Sequence, residues 1–192
     1  MKDIKINIIG ASGTGKSTLA KAVADKIECA HFDSDYYFHY PTDPPFQKQR
    51  PPRDRLSLLM ADLTQHRSWV LSGGAGVWDP PPPVQYSLVV FLYLPPTIRL
   101  ERLRSRERYL YGSRVEAGGD LDTDHKEFMT WTAGYDDGTS TGTNTLPSHL
   151  SFLKVVAAPI LRIESPMTTE EQVRLVVKKL GDCTDSSHGI QI

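Results

Sequence analysis

The segment that most constrains the fold of this chain is residues 10–17, which match the pattern G-x-x-x-x-G-K-[ST] at every position. Its glycines let the backbone turn tightly, so that successive N–H groups point inward at phosphate oxygens. An apolar run precedes the segment and a helical pattern follows it, which is the context that this motif requires. The sequence therefore predicts a nucleotide-binding loop (the P-loop) between a strand and a helix.

We expect this loop to bind ATP. In the motif the lysine, Lys16, reaches the β- and γ-phosphates, and the serine, Ser17, holds Mg²⁺ through its hydroxyl. Lys16 is therefore predicted to be catalytic and Ser17 to be a metal ligand. The positive end of the following helix points at the same phosphates. The predicted nucleotide-binding residues are Gly10, Ala11, Ser12, Gly13, Thr14, Gly15, Lys16, Ser17 and Thr18.

Apolar patterns along the chain predict alternating strands and helices. Strands are predicted at residues 4–9, 29–32, 68–71, 87–94 and 159–163, and helices at 17–28, 55–66, 96–111 and 168–180. This alternation is typical of a parallel sheet covered on both faces. We expect one domain spanning residues 1–192, with an α/β fold of three layers (α/β/α) around a five-stranded parallel sheet.

Two segments lie outside this regular pattern. Residues 112–147 are polar and rich in Gly, Asp and Thr, with one helical island around Trp131. A connection of this length is either functional or disordered, and we predict that it is a lid over the site. The tail at residues 181–192 is polar and is expected to be flexible.

Composition restricts the possible partners. With 22 Lys and Arg against 23 Asp and Glu, the net charge is −1, so no broad attraction to nucleic acid or to an anionic membrane is expected. The longest apolar stretch, residues 88–94, is far shorter than the roughly 20 residues that span a bilayer. Cys29 and Cys183 match no metal or redox spacing. We expect a cytoplasmic protein whose oligomeric state the sequence does not reveal.

Two carboxylates follow the second predicted strand. Asp33 and Asp35 are two residues apart in an extended segment, so both side chains can face one site. One would organise Mg²⁺, for which we choose Asp33, and the other would orient or deprotonate an acceptor hydroxyl, for which we choose Asp35. The alternative is that one of them caps the helix that follows.

A small acceptor molecule is expected beside these carboxylates. Gly73 and Gly74 end the third predicted strand, where backbone N–H groups can approach a substrate closely, although a plain tight turn is the alternative. Arg50, Arg53 and Arg55 precede the second long helix. If the acceptor is anionic they are natural donors to it; otherwise they are surface charges. Asp35, Arg53, Gly73 and Gly74 are the predicted substrate-binding residues.

An arginine-rich helix is the remaining candidate. Arg99, Arg102 and Arg106 share one face at spacings of three and four. Phosphoryl transfer depends on positioning and charge stabilisation, so we predict that Arg102 and Arg106 are catalytic. A solvated face paired with neighbouring glutamates is the alternative. Arg104, Arg108 and Arg114 are further candidates that the pattern does not rank.

Taken together, these features resemble the P-loop nucleotide and small-molecule kinases, among them adenylate and shikimate kinases. The segment Trp69, Val70, Leu71, Ser72 and Gly73, with Trp78, Asp79 and Pro80, is similar to a bacterial subfamily labelled adenylate kinase-like or AAA family ATPase. The carboxylate pair and the glycines at 73–74 match positions that hold the acceptor in shikimate kinases. The Asp-Gly-Phe-Pro-Arg string of adenylate kinases is absent, which argues against an AMP-type acceptor.

The resemblance implies MgATP-dependent phosphoryl transfer to a small-molecule, nucleotide or nucleoside acceptor. The first rival is an ATPase or GTPase switch, and the missing guanine-reading Asn-Lys-x-Asp string argues against the GTPase version. The second rival is a nucleotide-binding regulatory module without turnover.

Overall fold

The computed structural model describes residues 3–185, which alternate strands and helices along most of their length. The strands are β1 (Lys5–Gly10), β2 (Ala30–Asp33), β3 (Trp69–Ser72), β4 (Leu88–Leu92) and β5 (Ile160–Ile163). The helices are α1 (Lys16–Lys26), α2 (Ser34–Phe38), α3 (Pro52–Leu63), α4 (Pro96–Tyr111), α5 (Asp122–Ala133), α6 (Leu146–Val155) and α7 (Thr169–Asp185). Short 3-10 turns occupy Ala75–Val77 and Gly112–Val115.

The five strands form one parallel sheet in the order β2-β3-β1-β4-β5, which confirms the predicted α/β architecture. At its carboxyl edge Gly10 pairs with Leu92, and Asp33 pairs with Ser72. Because all strands run the same way, the P-loop, the carboxylates after β2 and the glycines after β3 leave the sheet at this one edge. This edge is where open α/β sheets bind ligands.

Each face of the sheet packs against its own pair of helices. On one face Ile6 and Ile8 of β1 pack with Val23 of α1 and Val176 of α7. On the other face Ile9 and Phe91 pack with Leu59 of α3 and Leu153 of α6. Alternation of side chains along β1 therefore sends Ile8 and Ile9 into different layers, as the three-layer prediction requires.

Two helices were not predicted. Helix α2 follows β2 directly, and α6 begins within the last two residues of the predicted lid and continues over residues for which no element was predicted. Thr145 caps α6, since its Oγ1 accepts a hydrogen bond from the Ser148 N–H at 3.3 Å. The predicted helical island is α5.

The last helix begins at a capping box formed by Thr168 and Glu171, and its predicted end at residue 180 is too early. The Thr168 N–H donates to the Glu171 carboxylate at 2.8 Å, and the Glu171 N–H donates to the Thr168 hydroxyl at 3.3 Å. Helix α7 continues to Asp185, and the rest of the predicted tail lies outside the described residues. Of the helices within residues 3–185, none has the length and apolar character to cross a membrane.

Candidate active site

The P-loop backbone adopts, at three of its glycines, a conformation that requires glycine. Gly10, Gly13 and Gly15 have φ of 145°, 82° and 95°, a region that other residues rarely adopt. A β-carbon on Gly10 would lie 2.2 Å from the Leu92 carbonyl oxygen, and one on Gly13 would lie 2.7 Å from that of Arg99. The loop is thus seated tightly between β4 and the start of α4.

Two side chains of the P-loop form hydrogen bonds to the backbone of the same loop. The Thr14 hydroxyl and the Lys16 ammonium each donate to the Ala11 carbonyl oxygen at 2.9 Å. Burial lowers the pKa of Lys16, and the negative charges of Asp35 and Asp33 oppose that effect. The ammonium group therefore lies in a partly desolvated position close to both carboxylates. At this position it would attract the negative charge of a bound phosphate.

Ser17 and Asp33 lie in contact at the mouth of the loop. The Ser17 hydroxyl donates to Asp33 Oδ2 at 2.6 Å, while Asp33 Oδ1 accepts from the Asp35 N–H at 3.1 Å. Asp33 therefore caps α2, which was the alternative interpretation, and its other oxygen contacts Ser17. Mg²⁺ is usually held by one or two protein oxygens together with substrate phosphates and waters. The Ser17 and Asp33 oxygens, beside a phosphate-binding loop, fit that ion.

Asp35 is not used as a cap, and its carboxylate stays available to the site. Although the residue is exposed, the surrounding protein desolvates its carboxyl and raises the pKa, and Asp33 raises it further. The positive charges of Lys16, His39 and Arg106 act in the opposite direction. A carboxylate whose pKa is raised is a stronger base than an ordinary aspartate, which suits the abstraction of a proton from a hydroxyl group.

Gly73 and Gly74 have different surroundings. Gly73 is buried with φ of 101°, and a β-carbon there would lie 2.0 Å from the Ser34 hydroxyl. Its N–H donates to the Ile8 carbonyl at 2.9 Å, which extends the pairing of β3 with β1, and its positive φ turns the chain away from the sheet, as the alternative interpretation proposed. Gly74 is only partly buried, and the side chains of Asn144 and His149 lie beside it.

The structure places Arg53 and Arg55 differently from one another. Arg53 is exposed on the first turn of α3. Arg55 packs over the Phe38 ring at 3.5 Å and donates through Nε to the Arg50 carbonyl at 2.6 Å. Arg55 therefore holds the segment before α3 against α2, whereas Arg53 is free to approach a ligand only from the surface.

Among the arginines of α4, Arg106 and the buried Arg99 both act on the pKa of Lys16, and Arg106 also acts on that of Asp35. Arg106 also pairs with Glu107 at 2.9 Å. Arg102 is exposed on the helix surface and contributes to neither shift. Arg104 and Arg108 lie in exposed ion pairs with glutamates, as the solvated-face alternative proposed.

Arg99 faces inward, which corrects its predicted place on an outward arginine face. Its side chain is fully buried, with Nε donating to the Leu94 carbonyl at 3.0 Å and Nη1 to the Thr132 carbonyl at 3.4 Å. Nη2 pairs with the Asp136 carboxylate. Since the guanidinium has fixed planar donors, three acceptors from separate segments can be satisfied at once, and Arg99 ties the 112–147 segment to α4.

The sequence analysis missed His149. This side chain is fully buried in α6, and its Nδ1 lies 2.8 Å from the Tyr135 hydroxyl. Burial and the nearby Lys16 charge lower the pKa of His149 to about 3, so the imidazole is neutral. One signal was present, because Leu146, His149, Leu150 and Leu153 have helical spacing, but spacing alone does not place α6 beside the P-loop.

Residues 6–117, more than half of the chain, match the model of a family described as an AAA domain. The chain belongs to this AAA-domain family. One relative that sequence comparison identifies is the uncharacterized protein YqaC of Bacillus subtilis (strain 168). It is 38% identical over 176 residues, which cover 91% of this chain and 96% of that protein.

Solved structures place this AAA-domain chain among proteins with a P-loop kinase fold. A gluconokinase from Sinorhizobium meliloti 1021 superposes with a TM-score of 0.54 at 16% identity, covering 97% of both chains. A shikimate kinase from Acinetobacter baumannii, solved with shikimate, superposes with a TM-score of 0.50 at 17% identity, covering 98% of this chain and 96% of that one. The predicted relation to P-loop kinases is thereby confirmed for the fold.

Proposed function

We propose that this protein transfers the γ-phosphoryl group of MgATP to a hydroxyl group of a small-molecule, nucleotide or nucleoside acceptor. The observation that carries the proposal is the convergence of Lys16, Ser17, Asp33 and Asp35 at one edge of the sheet. Ser17 and Asp33 supply oxygens for the metal that accompanies ATP. Asp35, left out of the cap, supplies the base that a simple nucleotide-binding module does not need.

Each residue has a distinct task in this reaction. Asp35 takes the proton of the acceptor hydroxyl, whose oxygen bonds to the γ-phosphorus while the bond from that phosphorus to the β–γ bridging oxygen breaks and ADP leaves. Lys16 and the P-loop N–H groups stabilise the negative charge on the phosphates. Bound Mg²⁺ would neutralise charge on the β- and γ-oxygens. Arg106 is better placed than Arg102 to add positive charge beside Asp35.

The proposal is tested by acceptor-dependent release of ADP. Purified protein with MgATP is assayed against libraries of nucleosides, nucleotides, sugars, sugar acids and shikimate-like compounds. We expect at least one compound class to raise ADP release well above its basal rate. The Lys16→Ala variant should lose this activity by about 10³-fold or more, because the transferring phosphates lose their main positive partner.

The matched control for this test is Lys21→Ala, which removes an exposed lysine from the same helix. It should retain full activity. ADP release that no acceptor increases would favour the rival ATPase or switch function. Activity that persists in Lys16→Ala would contradict the proposed site.

A further inference from the structure

His149 has a buried nitrogen that the proposed reaction does not use. The residue is 0% exposed, and its Nε2 atom has no hydrogen-bond partner within residues 3–185. A buried polar group without a partner destabilises the folded protein, so such atoms in native proteins usually meet a ligand or water. The position of Nε2 therefore indicates where a ligand atom would be stabilised.

The partner of the other ring nitrogen determines which hydrogen-bond role Nε2 plays. Nδ1 lies 2.8 Å from the Tyr135 hydroxyl, and Tyr135 is itself buried. The phenol proton has no other acceptor among the described residues, so the hydroxyl donates to Nδ1. In a neutral imidazole the proton must then be on Nε2. His149 thus presents an N–H donor that carries no charge.

This donor lies at the wall of the candidate acceptor site. A β-carbon built on Gly74 would lie 3.6 Å from His149 Nε2 and 4.0 Å from Asn144 Oδ1, with no other polar side-chain atom as close to that point. Gly74 follows β3 at the edge of the sheet that carries the P-loop, and the Lys16 charge acts on His149. An N–H donor and an amide oxygen therefore lie near one point that glycine leaves unfilled, and the nearest atom to that point is Val77 Cγ2 at 3.4 Å.

We propose that His149, Asn144 and Gly74 form a subsite that binds a second, non-reacting hydroxyl group of the acceptor. A hydroxyl oxygen accepts from Nε2–H while its proton goes to the Asn144 amide oxygen, which satisfies both protein groups. An ammonium group cannot accept a hydrogen bond, and a carboxylate cannot donate one. This subsite rests on the proposed function, because it assumes that a phosphoryl acceptor binds there. It adds that the acceptor carries at least two hydroxyl groups.

The test compares pairs of compounds that differ by one hydroxyl group. D-ribose, adenosine and D-gluconate are each titrated beside their singly deoxygenated counterparts, with MgADP present, while ¹⁵N NMR follows the imidazole nitrogens of His149. These signals are assigned from their loss in His149→Phe. We expect at least one parent compound to move the Nε2 signal and to bind about 10- to 100-fold more tightly than a deoxygenated counterpart.

Variants then separate binding from packing. In His149→Phe the preference for the hydroxylated compound should fall to about twofold or less. The His149→Phe change leaves the Tyr135 hydroxyl without an acceptor. The double variant Tyr135→Phe/His149→Phe removes this hydroxyl as well, so that neither position has an unpaired polar atom. It should fold stably and show the same loss of preference. His66→Phe makes the same substitution at an exposed position and should keep the preference.

The outcomes distinguish this subsite from the proposed function. A Nε2 shift that needs the hydroxyl, without release of ADP from ATP, would support the subsite and contradict the kinase. Release of ADP with a compound that leaves Nε2 unmoved would support the kinase and overturn the subsite. A hydroxyl preference that survives in both His149 variants, or a Nε2 signal that no compound moves, would also overturn it.

Discussion

At the scale of single residues, Asp33 shows how one carboxylate connects secondary structure to chemistry. Its two oxygens face different ways, one toward the Asp35 N–H and the other toward the Ser17 hydroxyl. The cap fixes the carboxylate in space, because a rotation that broke one contact would also break the other. Asp35 is thereby placed at the second residue of α2, where its side chain does not cap the helix.

Substitution of the two carboxylates should separate catalysis from nucleotide binding. Asp35→Asn should lower kcat by about 10²- to 10⁴-fold, because a general base is lost. Asp33→Asn should also lower kcat strongly, although asparagine still caps α2 well. In both variants the affinity for a non-hydrolysable ATP analogue, measured by calorimetry, should change far less. Asp25→Asn, at an exposed position of α1, is the control. Full activity in both site variants would reduce the two residues to structural roles.

The raised pKa of Asp35 has a consequence for stability. Because the folded protein holds this proton more tightly than the unfolded chain, the stabilisation is complete below the ordinary pKa of 3.8 and is lost as pH rises through the raised value. Asp35→Asn stays neutral throughout. Its melting temperature should exceed that of the wild type at pH 7, and the difference should shrink toward pH 4.

Thermal melts at the two pH values measure this difference. Asp25→Asn again removes one negative charge, but away from the site. A variant Asp35→Asn that melts at or below the wild-type temperature at pH 7 would show that the folded protein does not penalise this charge.

At the scale of elements, α4 is joined to the 112–147 segment by a buried ion pair. Arg99 lies in the first turn of α4, and its carbonyl oxygen also lies against Gly13 of the P-loop. Asp136 follows α5, and its side chain is 24% exposed. A single residue therefore links the nucleotide loop, through its backbone carbonyl, to the second half of the segment, through its side chain. A structural change in the nucleotide loop, in α4 or in the segment is therefore expected to affect the other two.

Loss of this pair should destabilise the protein measurably. Breaking a buried ion pair by removing one partner costs about 3–5 kcal/mol, and the partial exposure of Asp136 lowers our expectation to about 2–4 kcal/mol for Asp136→Ala. Urea unfolding followed by circular dichroism gives the free energy of unfolding. Glu116→Ala removes the partner of Arg108 in an exposed pair at 3.8 Å and should cost less than about 1 kcal/mol. Equal costs in the two variants would show that Arg99 does not anchor the segment.

At the scale of the whole molecule, the 112–147 segment has two parts with different packing. Thr132, Tyr135, Ser140 and Thr145 are buried, so residues 132–147 are anchored in the body of the protein at these positions, while residues 137–139 and 141–143 are exposed. Residues 112–131 are mostly exposed, and Arg114 there pairs with Asp120 at 2.8 Å. Exposed pairs contribute about 0–1 kcal/mol, so Arg108 and Arg114 can exchange their present partners for phosphates at little cost.

Hydrogen exchange should therefore show a lid that is shorter than the predicted segment. We expect a non-hydrolysable ATP analogue with acceptor to slow amide exchange across residues 112–131, because closure over the site excludes water. The buried residues Thr132, Tyr135 and Thr145 should exchange slowly even without nucleotide. The P-loop should gain protection in the same experiment and serves as the control for binding. A protected P-loop with an unchanged 112–131 would contradict the lid.

Much of the fold could be predicted from the sequence because the relevant signals are local. The pattern at residues 10–17 dictates the loop, since only glycine adopts the φ values at Gly10, Gly13 and Gly15 without strain. Apolar runs dictated the five strands, which must be buried on both faces of a parallel sheet. The cap at Thr168 and Glu171 was likewise readable, because both partners lie within one turn. Helix α2 was missed because five residues are too few to show a helical period, and α6, which has helical spacing, is only ten residues long.

The tertiary structure alone decided which distant residues meet. Periodicity placed Arg99 with Arg102 and Arg106, yet Arg99 is buried because Asp136, 37 positions away, supplies its counter-charge. His149 reaches the site only because α6 packs on the face of the sheet that carries Phe91. A sequence pattern reports the environment along one element, whereas a binding site is formed where separate elements converge. The sequence thus determined the P-loop and the alternation of strands and helices around it, and the packing of α6 and the 112–147 segment determined which side chains lie beside this edge of the sheet.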